Sequence, residues 1–517
     1  MRLRTLIRKS TGWPVISLKR AGTHSPISNR IVAVIAIGGL VSGCATFSQD
    51  GGMGVVAKVA RVDLHADVVA VRTDADQAEV KRQVKRLLGW PLTANTAVAI
   101  ALLNNKGLQA SYNELGIEEA RRIRDSLPPA PSIDITAIGG AAEFEIERKL
   151  TADILALATL PVRSEIAAAR FRQAQLQASL ETLRVAAEAR RSYYTAVGAR
   201  ELVSVLRKAK GAAESTANVA EQLGKTGALN KLDQAREQAF YAETTANLAI
   251  ALQTEQAERE RLVRALGLWD GDLKFRLPDN LPTLPKTIRS RPYIEVEAVR
   301  NRLDLQVARI ELEALAKSYG LTNATRFINV LSVGADFKTT HDKQTGDHVR
   351  DRGIAATFEL PIYDFGEARR REAEQTYMQA VNLLLQRAVN VRSEAREAYR
   401  RYRSSYDIAR HYQNEVLPLQ KIISDESQLR FSSMLIDVFA LLTEARERIA
   451  ATRAAVEAKQ DFWLADSSLA TTLAGGGAGT DDAGSAASGG QAAGSTLGAS
   501  QSNGASATGA QTGGSQP

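Results

Sequence analysis

The strongest constraint on this chain is that it carries one plan twice. Glu188-Ala189-Arg190-Arg191-Ser192-Tyr193 recurs 206 residues later as Glu394-Ala395-Arg396-Glu397-Ala398-Tyr399. At the same displacement, Ala228-Leu229-Asn230-Lys231-Leu232 falls on Met434-Leu435-Ile436-Asp437-Val438. Leu160-Pro161 pairs with Leu360-Pro361 at 200, and Leu108-Gln109-Ala110 with Leu305-Gln306-Val307 at 197. Small insertions therefore separate two parallel halves, and a fold that repeats must be built from a unit that stacks on its own copy.

Each half opens with a helical stretch, 93–125 and 294–319. The period then changes. From Phe144 the even positions run Phe144, Ile146, Arg148, Leu150, Ala152, Ile154, Ala156, Ala158, Leu160, against Glu145, Glu147, Lys149, Thr151 and Asp153. Alternation of this kind marks a strand with one apolar face. Ile354, Ala356, Phe358, Leu360 and Ile362 repeat it in the second half. Segments 133–140 and 327–337 are the expected partners, and 338–352 reads as a hydrophilic loop. Strands of ~9–11 residues are long enough to cross a bilayer when tilted. In lipid their unpaired edges must close into a barrel, and four strands fall short of the about eight that the smallest common barrels need. Spanning strands would thus demand an oligomer; the alternative is a pair of small hairpins in water.

The longest elements follow. Leu206, Ala209, Ala213, Thr216, Ala220 and Leu223 step in threes and fours, as do Leu232, Ala235, Ala239, Ala242, Ala246 and Ala249 on a return arm. These are coiled-coil seams. Gly224-Lys225-Thr226-Gly227 lies between them as a turn. Leu435, Val438, Leu442, Ala445, Ile449 and Thr452 repeat the return arm. Helices over 163–223 and 367–429 would each extend ~90 Å at 1.5 Å per residue. A Pro-rich connector, 277–285, joins the halves.

The ends of the chain differ from its middle. The formal charge is +8, but seven basic residues and no acidic one precede Cys44, so the remainder is nearly neutral and implies no nucleic-acid partner. That basic stretch leads into an apolar run at 31–41, an export signal too short to span a ~30 Å bilayer core. The run ends in Val41-Ser42-Gly43-Cys44, which resembles the lipobox of bacterial lipoproteins. The resemblance implies a diacylglyceryl group on Cys44, and Ala45 implies sorting to the outer membrane. Beyond 473 the Gly/Ala/Ser-rich tail cannot bury enough surface to order itself.

The order helix, strand hairpin, long helical hairpin, all twice, resembles the TolC-type outer membrane efflux proteins over about residues 93–472. Leu360-Pro361-Ile362-Tyr363-Asp364-Phe365-Gly366 is similar to the family's strand-to-helix junction, and the stretch from Leu429 to Phe439 to its second periplasmic tip. The resemblance implies a mainly α fold with a small membrane β-barrel portion. Two repeats of coiled-coil helical hairpins plus β-hairpins would make a trimeric α/β tunnel with a shared twelve-stranded barrel. It implies a passive duct, not an enzyme, without cofactor. The partners would be two sister copies, a periplasmic adaptor, an inner-membrane transporter and outer-membrane lipid. The adaptor would meet Gly224 and Gly227 at one tip and Ser433 and Met434 at the other. Ser433 stands as the counterpart of Gly227 and departs from the family's glycine. Asp437 is either part of a carboxylate ring narrowing the tunnel mouth or an acidic residue suited to the first turn of a helix.

The chain then divides into a signal peptide (1–43), a lipidated extension (44–92), a first repeat (93–285), a second repeat (286–473) and a disordered tail (474–517). Strand hairpins fall at about 131–160 and 327–362, and helical hairpins at about 163–267 and 367–472. Other signals carry less. Gly224-Lys225-Thr226 lacks the upstream glycine of a phosphate loop, Val219 standing there. The five histidines have no ligand spacing on one helix face, and no catalytic set stands out. Arg369-Arg370-Arg371 is a solvated helix face or a set of lipid-snorkelling side chains. The competing function is a structural periplasmic coiled-coil lipoprotein, which has no use for two strand hairpins at matching places.

Overall fold

A computed structural model describes residues 46–475. Cys44, the export signal and the tail beyond Gly475 lie outside the described residues, and so do the side chains of Val438 and Phe439. The chain forms two compact units. Of the described residues, one comprises 46–79, Asn105–Thr182 and Gln306–Leu385; the other comprises Val80–Asn104, Leu183–Leu305 and 386–475.

The first unit holds the only sheet of the described residues, an antiparallel ladder in the order β1 (Ser132–Gly139), β2 (Glu143–Asp153), β3 (Val330–Asp342), β4 (His348–Glu359). The two hairpins expected from alternation are thus present, and β2 pairs with β3 to make them one sheet. β2 stops earlier than its alternation suggests. At Asp153 the carboxylate accepts the backbone N–H of Ala156, and the chain turns directly into α5, Ile154–Lys225. Ile154, Ala156, Ala158 and Leu160 prolong the alternation, but Leu155 and Leu157 break it and join Ile154 and Ala158 in a helical stripe, which the Asp153 cap starts. Pro161 lies inside α5, whereas Pro361 lies outside any helix, so the pairing of Leu160-Pro161 with Leu360-Pro361 is a coincidence. The hydrophilic loop is shorter than 338–352: pairing continues to His341 opposite His348, leaving a turn around Gly346 at φ +76°.

The opening helices are also broken in two. α3 (Ala94–Asn104) gives way to α4 (Lys106–Ser126) at Asn105, whose side chain caps α4 by accepting from Leu108 N–H at 3.1 Å. In the second half α7 (Ile294–Asn301) and α8 (Leu303–Ala324) break at Arg302, 197 residues on. Within the first unit the N-terminal extension, with α1 (Met53–Val59), is fastened to α4. Ser48 donates to the buried Glu119 carboxylate at 2.6 and 2.7 Å, and the Gln109 amide bridges Val69 C=O and Val71 N–H, both at 2.9 Å. The extension continues into α2, Asp74–Leu88.

In the second unit, α5 returns through α6 (Lys231–Leu266), and α9 (Glu367–His411) is followed by a π-helical turn (Tyr412–Val416), α10 (Leu417–Ser432) and α11 (Val438–Ala474). The seam of α5 buries Leu206, Ala209, Ala213, Ala217 and Ala220, with Ala217 in place of Thr216. On α6 the outcome is the reverse of the expectation. Glu237, Thr244 and Ala251 are the buried heptad positions, and Leu248 packs with Ala251 against Val203 and Leu206. Leu232, Ala235, Ala239, Ala242, Ala246 and Ala249 are exposed, because they fall on the opposite stripe of the same helix. Six aromatics gather here: Tyr193, Tyr194, Tyr402, Tyr406 and Trp463 form one cluster with the buried Phe462. The Pro-rich connector is strapped down, since Tyr406 OH donates to Pro285 C=O at 3.0 Å and Trp463 Nε1 to Pro282 C=O at 3.1 Å.

Candidate functional site

Cross-strand partners share a face, so the register sorts every strand residue onto one of two faces. On one lie Ile133, Ile135, Ile146, Leu150, Leu331, Val333, Phe337, Ile354 and Phe358. None of the described residues covers this face: Ile354 is 87% exposed and Ile133 and Ile135 are each 69% exposed. The other face carries Asp134, Glu143, Glu145, Glu147, Asp153, Asp336, Asp342, Asp351 and Glu359, with Lys149 and Lys338 as its only cations. Lys338 pairs with Glu145 at 2.8 Å. Every strand carboxylate is therefore on the polar face. β1 and β4 are the outer strands of the ladder, and each presents one unpaired edge. The sheet is thus apolar on one side, acidic on the other, and open at both ends.

The strand-to-helix junctions place further apolar surface in the same unit. Ile362, Tyr363 and Phe365 are exposed, Tyr363 at 98%. Phe365 and Gly366 both take positive φ, +51° and +73°, and a Cβ at Gly366 would sit 2.2 Å from the Arg326 carbonyl oxygen. Glycine is therefore required there by crowding as well as by conformation. The three arginines that follow are engaged within the unit. Arg369 donates to Thr325 C=O at 2.9 Å, Arg370 pairs with Glu367 and Glu374, and Arg371 pairs with Glu367 at 2.8 Å. Hydrogen bonds from Arg370 and Arg371 hold the Glu367 carboxyl at about 2.

The helical tips share one geometry, and it corrects the residue equivalence. At the first, Gly227 N–H donates to Gly224 C=O and Ala228 N–H to Leu223 C=O; at the second, Met434 N–H donates to Phe431 C=O and Leu435 N–H to Arg430 C=O. This is the Schellman pattern of helix ends. Its left-handed residue is Gly227 at φ +76° in one tip and Met434 at φ +58° in the other. The counterpart of Gly227 is therefore Met434, not Ser433, which has φ −88°. Asn230 and Asp437 likewise match: Asn230 Oδ1 accepts from Asp233 N–H at 2.9 Å and Asp437 Oδ1 from Ala440 N–H at 2.8 Å. Asp437 is an N-cap. The displacement between tips is 207, one more than between Glu188 and Glu394. The extra residue lies in the π-helical turn, where the i→i+5 pattern takes one residue more than an α turn.

Sequence reasoning missed the buried charged groups, which among the described residues are Glu119, Glu237, Arg302 and Glu444. Arg302, at the second helix break, donates to Asp304 at 2.7 and 3.0 Å and to Glu394 at 2.6 Å. Burial acts to lower its pKa, but the hydrogen bonds and charges of Asp304 and Glu394 prevail and raise it. Glu237 is buried and paired with Arg446 at 2.9 Å, while Arg446 also stacks on Phe240. A charged residue at a seam position was the available signal for Glu237. His341 and His348, which the sequence left in a loop, stack at 4.3 Å at the turn end of the apolar face. Gly224 lies next to Gln234, and Gly227 faces open space.

Among the described residues no group of three metal-binding side chains occurs and no helix is long and apolar enough to cross a membrane. Protein-family models give no match to the chain, and curated proteins give none either. Solved structures do. The chain superposes on CusC, described through its folding and transmembrane channel formation, with a TM-score of 0.62 at 17% identity, over 76% of this chain and 92% of that one. The outer-membrane channel OprN gives 0.62 at 17% identity, over 85% and 98% of the two chains. The Campylobacter jejuni CmeC outer membrane channel gives 0.60 at 14% identity, over 81% and 92%. The fold is that of the TolC-type outer membrane channels.

Proposed function

We propose that this protein is the outer-membrane channel of a tripartite export system, a passive duct fed by an inner-membrane transporter through a periplasmic adaptor. The observation that carries the reading is the two-faced sheet with two free edges. Its apolar face is suited to lipid and its nine carboxylates are suited only to water, so the acidic face would line a lumen. Unpaired backbone groups at an edge in hydrocarbon cost several kcal/mol each, which drives β1 of one copy onto β4 of the next. Three copies of a four-stranded sheet make a twelve-stranded barrel, an even number of strands within the range of such barrels. The exposed alanine stripe of α6 supports the same assembly, since small side chains let a neighbouring helix approach closely.

Lipid on Cys44 would anchor each copy in the outer membrane. The tips at Gly227 and Met434 would meet the adaptor, and Asp437, besides capping α11, would contribute a carboxylate to the tunnel mouth. The test is assembly and conductance. Detergent-extracted protein is expected to sediment as a trimer and to open pores in planar bilayers. Cysteines placed on the outer edges of β1 and β4 are expected to crosslink between copies. A monomer without conductance would overturn the proposal. For the anchor, Cys44→Ser is expected to abolish fatty-acid labelling; labelling that persists would remove that part.

A further inference from the structure

The apolar face is not apolar throughout. Proceeding from the helix end to the turn end, its first three rows are Leu331 with Phe358, then Ala152, Val333 and Ala356, then Ile133, Leu150, Ala335 and Ile354. The fourth row brings Arg148 and Arg352 to either side of Phe337, and the fifth places Arg350 beside Thr339. Rows on one face are ~6.8 Å apart along a strand, so the arginines begin ~20 Å beyond Leu331. All three are exposed, and none is held by a carboxylate among the described residues. No acidic residue shares their face, although nine occupy the opposite one. Charge is thus segregated against the local opportunity for pairing: the polar face uses Lys149 and Lys338 among its carboxylates and leaves the arginines to whatever lies outside.

We propose that Arg148, Arg350 and Arg352 form a phosphate-binding belt for the headgroup of a phosphorylated glycolipid in the outer leaflet. This rests on the sheet being part of a membrane barrel. Arginine suits the role because its planar guanidinium takes two phosphate oxygens at once and its aliphatic stem lies along apolar surface. The geometry fits a lipid more than a soluble ligand. Phe337 in the fourth row and Ile354 in the third supply apolar contact for acyl chains, and the arginines stand exposed on the open face. An anion bound there would complete the charge balance of a face that otherwise has cations only.

The experiment uses the full-length protein reconstituted into phosphatidylcholine vesicles, with purified diphosphoryl lipid A as the probe. A dephosphorylated glycolipid of the same acyl composition is the comparison, and sedimentation and conductance are recorded on the same preparation. The wild type is expected to bind the phosphorylated lipid and to discriminate against the dephosphorylated one. Arg148→Ser/Arg350→Ser/Arg352→Ser is expected to lose about a hundredfold in affinity while remaining a conducting trimer. Lys149→Ser/Lys338→Ser, on the opposite face, is expected to bind as the wild type does. Equal binding of both lipids by the wild type, or undiminished binding by the triple variant, in a preparation that conducts would overturn the belt and leave the channel intact. A wild type that neither trimerises nor conducts would overturn the channel reading and the belt with it.

Discussion

The two repeats of this chain reach the same topology through different local devices, and the differences mark where the second repeat has been adapted. In the first, β2 passes into α5 without a loop, capped by Asp153, and the helix then runs unbroken for 72 residues. In the second, β4 ends at Glu359, an equivalent 206 residues on, but the chain makes an exposed aromatic turn before α9 begins at Glu367. It then spends one extra residue in a π-helical turn before α10. The outgoing helix of the first repeat is thus uninterrupted, and that of the second starts after a turn and is interrupted once, by the π-helical turn. Both halves nevertheless arrive at tips with the same hydrogen-bond pattern and the same kind of cap. The topology tolerates variation between its fixed points, and the fixed points are the strand ends and the tips.

The largest effect is expected from removing the π turn's extra residue. Deleting Asn414 would restore a displacement of 206 and rotate α10 by about 100° relative to α9, because each α-helical residue turns that far. α10 would then present the wrong stripe to α11. The expected result is loss of protease resistance in 417–474 and a thermal midpoint lowered by several degrees. An unchanged midpoint would mean that the π turn does not set the register of the second tip.

Next comes the junction. Gly366→Ala places a Cβ against the Arg326 carbonyl at a position of positive φ, and is expected to destabilise by about 3 kcal/mol in chemical denaturation. The first repeat has no such site, since α5 starts directly. Ala156→Gly, the matching experiment in its first turn, is expected to cost about 1 kcal/mol or less. Similar losses for the two variants would dissolve the contrast between the junctions.

These differences explain what could be seen in the residues beforehand. The repeat, the four strands and the long hairpins were legible because each rests on a periodicity sustained over many positions. The tip at Gly224-Lys225-Thr226-Gly227 was legible because its two glycines are a local turn signal. The end of β2 was not, since Ile154, Ala156, Ala158 and Leu160 carry the alternation past Asp153, although Leu155 and Leu157 between them fit only a helix. A one-residue insertion inside a helix leaves the flanking helical pattern intact, so a constant displacement of 206 matches Ser433 to Gly227; Pro418, two residues past the π-helical turn, is the local sign that the helix is interrupted there. Aligning the caps Asn230 and Asp437 instead of the helix bodies would have given Met434. The exposed alanines of α6 were assigned to an internal seam because periodicity locates a stripe without saying what faces it.

The tips give a smaller effect with opposite signs. Gly227 and Met434 occupy the same left-handed position, but only one is glycine. Gly227→Ala is expected to destabilise by about 1 kcal/mol from conformation alone, because a Cβ there meets nothing. Met434→Gly is expected to stabilise by up to about 1 kcal/mol, reduced by the entropy glycine adds to the unfolded chain. Denaturation midpoints measure both. A loss from Met434→Gly would show that the exposed methionine side chain holds something in the tip.

The smallest effect distinguishes two equivalent glutamates. Glu237 and Glu444 are 207 residues apart, both buried, at the same place in their return helices. Arg446 pairs with Glu237, whereas its counterpart in the first repeat is Ala239, and Glu444 Oε1 has no hydrogen-bond partner among the described residues. Burial, with a further contribution from Glu447 and opposed by Arg448, raises the Glu444 carboxyl above its ordinary 4.5. A carboxyl whose folded-state pKa is raised favours folding most fully below its unfolded value. That contribution is lost as pH rises through the folded value. Stability from this residue is therefore present below pH 4.5 and absent at neutral pH. Glu444→Gln is expected to raise the thermal midpoint slightly at pH 7, with the gain vanishing below pH 4.5. Glu237→Gln should act in the opposite sense at pH 7, since it leaves Arg446 without its counter-charge. Thermal midpoints recorded across that range decide it. A Glu444→Gln gain that persists into acid would mean that side-chain packing, and not ionisation, separates the two sites.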